Sequence, residues 1–112
     1  MVRKIYIPDR GDIIWLDLSP TKGHEQRGIR PVVVISPKSY NNLISLLLMC
    51  PITSNAKGYP FEEVVVFEKI SGVVLVDQIR CVDWKERQIR FVGKLSHETV
   101  VRILMRLRTL VS

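Results

Sequence analysis

The sequence predicts a mainly β (α+β) fold, a small, strongly curved antiparallel sheet or barrel with a C-terminal helix. Short runs rich in β-branched and aromatic residues recur along the chain, separated by segments carrying Gly, Pro, Asn and Ser. Apolar residues take up helical spacing at the C-terminal end, where Val100, Val101, Ile103, Leu104, Leu107, Leu110 and Val111 form a stripe. The length of 112 residues suits one core and is too short for two, so residues 1–112 are read as a single domain.

The first strand spans residues 12–18 (DIIWLDL), which follow a glycine. Residues 19–29 are polar and glycine-bearing, without a helical or strand period, and read as a mobile loop. Arg30 precedes Pro31, which disfavours helical backbone at Arg30, and the apolar residues 32–35 continue as a buried strand. Ser36 before Pro37 predicts an N-cap and one short helical turn ahead of Asn41 and Asn42. A third strand is expected over residues 43–52; Leu46 to Cys50 are apolar on both faces, so both faces need cover from the core or a partner chain. Residues 55–60 carry turn chemistry. Strands over 62–67 and 72–83 are joined by a turn, and a last strand covers 90–95, giving five or six strands in meander order. Ser96 caps the final helix, on which Glu98 and Arg102 lie one turn apart.

A hydrophobic content of 46% with 25% charged residues is globular rather than disordered, and no repeat or low-complexity stretch stands out. The first residues lack the apolar core of a signal peptide and the apolar runs are too short to cross a bilayer, so a soluble, cytoplasmic protein without a membrane partner is expected. Cys50 and Cys81 lie in apolar stretches without CxxC spacing and read as buried, reduced thiols. With His24 and His97 far apart, no zinc ligand set is present and neither metal nor cofactor is expected, although a loosely held magnesium needs no motif. Seventeen Lys and Arg against eleven Asp and Glu give a net charge of +6, and the pI is about 9.7. Such a balance suits an anionic partner such as nucleic acid, or serves solubility alone.

Three clusters carry chemistry. His24, Glu25, Gln26 and Arg27 lead into Arg30, placing an imidazole, a carboxylate and two guanidinium groups within seven residues. Metal-free RNA cleavage needs such groups: a base for the 2′-OH, a cation for the developing phosphorane and a donor for the leaving 5′-oxygen. The same residues also read as a solvated turn. Asp77 and Gln78 interrupt an apolar strand and need partners or water, either for structure or for reading RNA. Thr53 and Ser54 end the third strand ahead of Lys57, a combination able to hold a phosphate oxygen but common at strand ends. Trp15, Tyr59, Phe61 and Trp84 offer either stacking faces or core.

Residues 11–26 (GDIIWLDLSPTKGHEQ), 28–37 (GIRPVVVISP), 51–53 (PIT), 57–61 (KGYPF) and 72–78 (GVVLVDQ), in this order and spacing, closely resemble the MazF/PemK family of bacterial toxins, and the match spans nearly the whole chain. The resemblance implies an SH3-like barrel with a C-terminal helix. It also implies a homodimer that cuts single-stranded RNA, including mRNA, without a metal, leaving a 2′,3′-cyclic phosphate and a 5′-hydroxyl and inhibiting growth. A cognate acidic antitoxin is implied as partner. By position, Arg30 is the cation or acid at the transition state, Thr53 contacts the scissile phosphate and Glu25 is needed for activity. His24 and Asp77 match charge-stabilising and general-base positions of a plasmid-borne branch. That branch has an arginine two residues before the aspartate, where this sequence has Leu75, so Arg30 with Thr53 is the core pair the resemblance implies here. Arg27, Ser54, Lys57 and Gln78 are the expected RNA contacts, and Trp15 is the expected antitoxin anchor.

The alternative is a non-catalytic toxin or binding module on the same barrel, such as a gyrase inhibitor, because fold does not fix function. The apolar content of residues 46–49 and of the stripe Val100, Leu104, Leu107 and Val111 exceeds what a small barrel needs, so one of the two is expected to face a second subunit.

Overall fold

The computed structural model describes residues 5–19, 23 and 28–112. The strands are β1 (Asp12–Asp17), β2 (Ile29–Val34), β3 (Leu46–Thr53), β4 (Glu62–Phe67), β5 (Ile70–Leu75), β6 (Arg80–Asp83) and β7 (Ile89–Lys94). Two helices, α1 (Lys38–Leu43) and α2 (His97–Val111), and a 3-10 turn over Val76–Gln78 complete the fold. The mainly β architecture with a C-terminal helix follows the expectation, but the strand order does not. The sheet runs β4-β5-β3-β2-β1-β7, with β6 beside β3, so β7 closes on β1 rather than on β6.

Strand β3 makes this order possible because it is long enough to serve different neighbours along one edge. Its first half pairs with β6, from Leu46↔Asp83 to Met49↔Arg80, and its end pairs with β5 at Ile52↔Val74 and Thr53↔Val73. Its other edge pairs with β2 from Val34↔Met49 to Val32↔Pro51.

Strand alternation sends side chains to both faces of the sheet, and both faces are covered. Ile13, Val33, Cys50, Ile52 and Val74 share one core with Ile103 of α2, while Ile14, Leu16, Val32, Leu47 and Met49 share the other with Val82 and Trp84. This answers the apolar character of β3 within one protomer. Leu47 and Met49 are fully buried, and Val100, Leu104 and Leu107 pack on the first core, so neither expected stripe is left whole for a partner subunit. The exposed apolar residues of α2 are instead Val101, Met105, Leu110 and Val111.

The sheet curls enough to bring its end strands within side-chain reach. A Cβ at Gly93 of β7 would lie 2.1 Å from Cζ of Phe67 in β4, so the ring seats on the glycine. The register of β1 against β7 shifts between Ile13 and Ile14, an irregularity that adds twist.

Helix α2 is capped as expected, with Ser96 Oγ accepting from Thr99 N at 3.2 Å. Its Arg102 turns to the buried Glu63 of β4, which also takes Arg106; both Nε–O distances are 3.1 Å. At α1 the sequence expectation fails. Pro37 occupies the cap position without a side-chain bond, and the helix runs to Leu43. Ser36 is used differently: its Oγ donates to Asn41 Oδ1 (2.5 Å) and accepts from Leu48 N (2.9 Å), strapping α1 to β3. Cys50 is buried, and burial followed by the charge of Asp77 pushes its thiol up to about 12. Cys81 is exposed, against expectation, because it pairs with Leu48 on the outward side of β6 while Val82 takes the core side.

Candidate active site

Thr53 is the last residue of β3 and is buried at 7% exposure. Its Oγ1 accepts from Asn55 N at 3.1 Å, which turns the chain out of the sheet. Beside it β5 passes very close. A Cβ at Gly72 would lie 2.2 Å from the Thr53 carbonyl oxygen, so only glycine permits this approach.

The expected unbroken strand over 72–83 is corrected here, because the chain leaves the sheet at Val76–Gln78. In a continuous strand Asp77 and Gln78 would point to opposite faces, and one would enter the core. The 3-10 turn carries both to the rim, with Val76 N donating to Phe61 O (3.0 Å) and Ile79 N to Val76 O (3.3 Å).

A third segment joins them. The Glu62 carboxylate accepts from the backbone N–H groups of Lys57 (2.9 Å) and Gly58 (2.8 Å), folding residues 55–61 back toward the 3-10 turn. The Tyr59 hydroxyl then donates to Asp77 Oδ1 at 2.7 Å. Burial, with the Asp77 hydrogen bond next in size, pushes the Tyr59 phenol up to about 12. The result is a polar cavity of about 290 Å³ lined by Thr53, Lys57, Tyr59, Glu62, Asp77 and Gln78, together with Asn55 and Leu75.

Arg30 lies exposed in β2, opposite Leu16 of β1. The register of β2 against β3 ends at Val32↔Pro51; continued by two residues, it brings Arg30 level with Thr53. The arrangement combines a hydroxyl, two cationic side chains, an amide and carboxylates at one end of the sheet, which suits binding of a phosphodiester.

Of the sequence-derived candidates, Thr53, Lys57, Asp77 and Gln78 meet at this cavity, and Arg30 is not among its lining residues. Ser54 is exposed and does not line it. His24, Glu25 and Arg27 lie outside the described residues. Trp15 is half-buried, between Pro31 and Arg90, and lines a separate groove of about 1100 Å³ with Ile29, Ile89 and Arg87. Trp84 is core, its Nε1 donating to Asn41 O at 3.1 Å. Sequence reasoning missed Glu62 and the bonding role of Tyr59. A signal existed for Glu62: a carboxylate close behind a glycine-bearing turn is within reach of the turn's N–H groups.

Residues 9–111 match the family model described as PemK-like, MazF-like toxin of type II toxin–antitoxin system. The chain is 42% identical over 106 residues to the endoribonuclease toxin MazF of Escherichia coli strain K12, covering 95% of this chain and 96% of that one. It is similar to the crystal structure of MazF from Deinococcus radiodurans at a TM-score of 0.90 and 40% identity, covering 96% of this chain and 98% of that one. It also matches a MazE–MazF structure from the same organism at a TM-score of 0.83 and 35% identity, with the same coverage.

Proposed function

The chain belongs to the PemK-like, MazF-like toxins of type II toxin–antitoxin systems and is an endoribonuclease toxin; we propose that it cuts single-stranded RNA without a metal at the Thr53 cavity. The carrying observation is the convergence of Thr53, Lys57, Asp77 and Gln78 on one cavity from three separate segments, with Arg30 level with Thr53 by register. The reaction is an in-line attack of the 2′-OH on the neighbouring phosphorus, leaving a 2′,3′-cyclic phosphate and a 5′-hydroxyl. Arg30 offsets the charge on the phosphorane or supplies the proton for the leaving oxygen, and Thr53 holds a phosphate oxygen. Glu25 is required for activity, and His24 is a further charged group for the same step. Asp77 is not the favoured base, because Tyr59 already occupies its Oδ1 with a hydrogen bond. Lys57 and Gln78 hold the RNA at the cavity, and Ser54 and Arg27 are further RNA contacts.

The working unit is a homodimer formed from the single domain of residues 1–112, acting in the cytoplasm. Its antitoxin is acidic, attracted by the net charge of +6. Trp15 and the groove it lines give this partner an apolar anchor between Ile29 and Ile89. A non-catalytic toxin would have no use for Arg30 beside Thr53, and the curated relative is named an endoribonuclease. The test is incubation of the purified protein with a long RNA in excess EDTA, with the cut ends mapped. Cyclic phosphate ends are expected, with loss of cutting in Arg30→Ala and Thr53→Ala while both retain the fold. A magnesium requirement, a 5′-phosphate on the downstream fragment, or full cutting by Arg30→Ala would overturn the reading.

A further inference from the structure

We infer that Arg80 and Arg87 are positioning residues for RNA cleavage, clasping the backbone carbonyls at the end of β1 and through them holding Arg30 in place; this rests on the reading of Arg30 as the cation at the phosphate. Arg80 Nη1 donates to Leu18 O at 2.9 Å. Arg87 Nη1 donates to Asp17 O at 2.5 Å and to Ser19 O at 3.0 Å. Consecutive carbonyls are therefore held by two guanidinium groups from elsewhere in the chain.

Arg80 does not belong to a strand that must contact the end of β1, whereas the β1–β7 register, which ends at Leu16↔Ile89, leads Arg87 to it. Arg80 opens β6, which pairs with β3, and β2 stands between β3 and β1 in the sheet order. Arg87 lies in the connection between β6 and β7. Carbonyls at a strand end can be satisfied by water, so the clasp is not needed to settle unpaired acceptors. Its consequence is geometric. A guanidinium offers a rigid fork of donors, which restrains both the position and the direction of what it binds.

The restraint passes directly to Arg30. Leu18 N donates to Gly28 O at 2.9 Å, and the next pairs are Asp17↔Ile29 and Leu16↔Arg30. If the end of β1 frays, these pairs fray with it, and Arg30 loses its level with Thr53. A displacement of about 1 Å in a group that meets the reacting phosphate costs on the order of a hundredfold in rate. Arg80 and Arg87 thus act on the chemical step through Arg30 without touching RNA.

The experiment measures kcat and KM on a defined oligoribonucleotide for Arg80→Met, Arg87→Met, Arg80→Lys and Arg108→Met, beside melting temperatures. Arg108 is exposed in the last turn of α2 and controls for the loss of one positive charge. Arg30→Ala is assayed in the same series. The expected result is a fall in kcat of about tenfold or more for Arg80→Met and Arg87→Met, KM within about threefold, and partial recovery in Arg80→Lys, which keeps a donor for Leu18 O. Arg108→Met should behave as the parent. If either Met variant melts below the assay temperature, Arg80→Gln and Arg87→Gln carry the same comparison. Parent-like kcat in the clasp variants with an inactive Arg30→Ala would overturn the clasp alone. A loss confined to KM and matched by Arg108→Met would overturn it as a charge effect, whereas an active Arg30→Ala would remove the reading on which it rests.

Discussion

Gly72→Ala should damage stability and catalysis together, because it strikes the backbone that carries Thr53. The new Cβ would meet Thr53 O at 2.2 Å, its carbonyl carbon at 2.8 Å and Ser54 Cα at 3.1 Å. A carbon rarely approaches a carbonyl oxygen closer than about 3.3 Å, so the strands must separate by about 1 Å. No flexible side chain can absorb this, since the obstructing atoms are backbone and the Thr53↔Val73 pairing is adjacent. Overpacking of this kind costs about 2 kcal/mol, a fall in melting temperature of about 8 °C for a domain of this size. The same displacement carries Thr53 away from the phosphate, and a shift of about 1 Å in a reacting constellation costs on the order of a hundredfold in rate. Melting by circular dichroism and single-turnover cleavage of a short oligoribonucleotide measure the two effects on one preparation. A variant that melts with the parent and cuts within about threefold of its rate would refute the reasoning, as the close approach of β5 would then be compressible at no cost.

Arg30→Lys should cut poorly at an unchanged melting temperature, because an ammonium cannot present the planar donor fork of a guanidinium; initial rates beside Arg30→Ala decide this. Tyr59 has a raised folded-state value of about 12 against an ordinary 10. Burial first and the bond to Asp77 second favour the neutral phenol, a contribution that is full below about pH 10 and lost as pH rises through about 12. Tyr59→Phe should flatten the fall in melting temperature across that window, and an unchanged alkaline profile would count against the raised phenol. Glu63→Gln leaves Arg102 and Arg106 without their carboxylate and should cost about 2 kcal/mol, less than a fully buried pair because both arginines reach solvent. Denaturant unfolding measures it. A synthetic acidic antitoxin tail should displace an uncleavable RNA analogue from the dimer, both affinities falling as salt rises; simultaneous binding without loss would place inhibition elsewhere. Light scattering at micromolar concentration should give a dimer, and a monomer would refute that assembly.

What the amino-acid order determined by itself is what local chemistry encodes. The β-branched run at residues 12–18, the Arg30-Pro31 entry into β2 and the Ser96 cap of α2 each depend on neighbours within a few positions, and each was legible before any contact was known. The motifs that mark the family are equally a property of order and spacing, which is why Arg30, Thr53 and Asp77 could be singled out. Tertiary structure decided the rest. Asp77 and Gln78 sit in a break rather than a strand because only the packed sheet leaves no room for a polar side chain on its core face. Ser36 ties to Leu48 of β3 instead of capping α1, and Arg102 turns to Glu63 instead of Glu98, because the nearer partner in space is distant in sequence. The same holds for the two arginines on the end of β1. Periodicity states which residues share a face of one strand; it cannot state which strand lies beside it, and the hydrogen bonds that shape the site are formed between strands and loops whose adjacency arises only on folding.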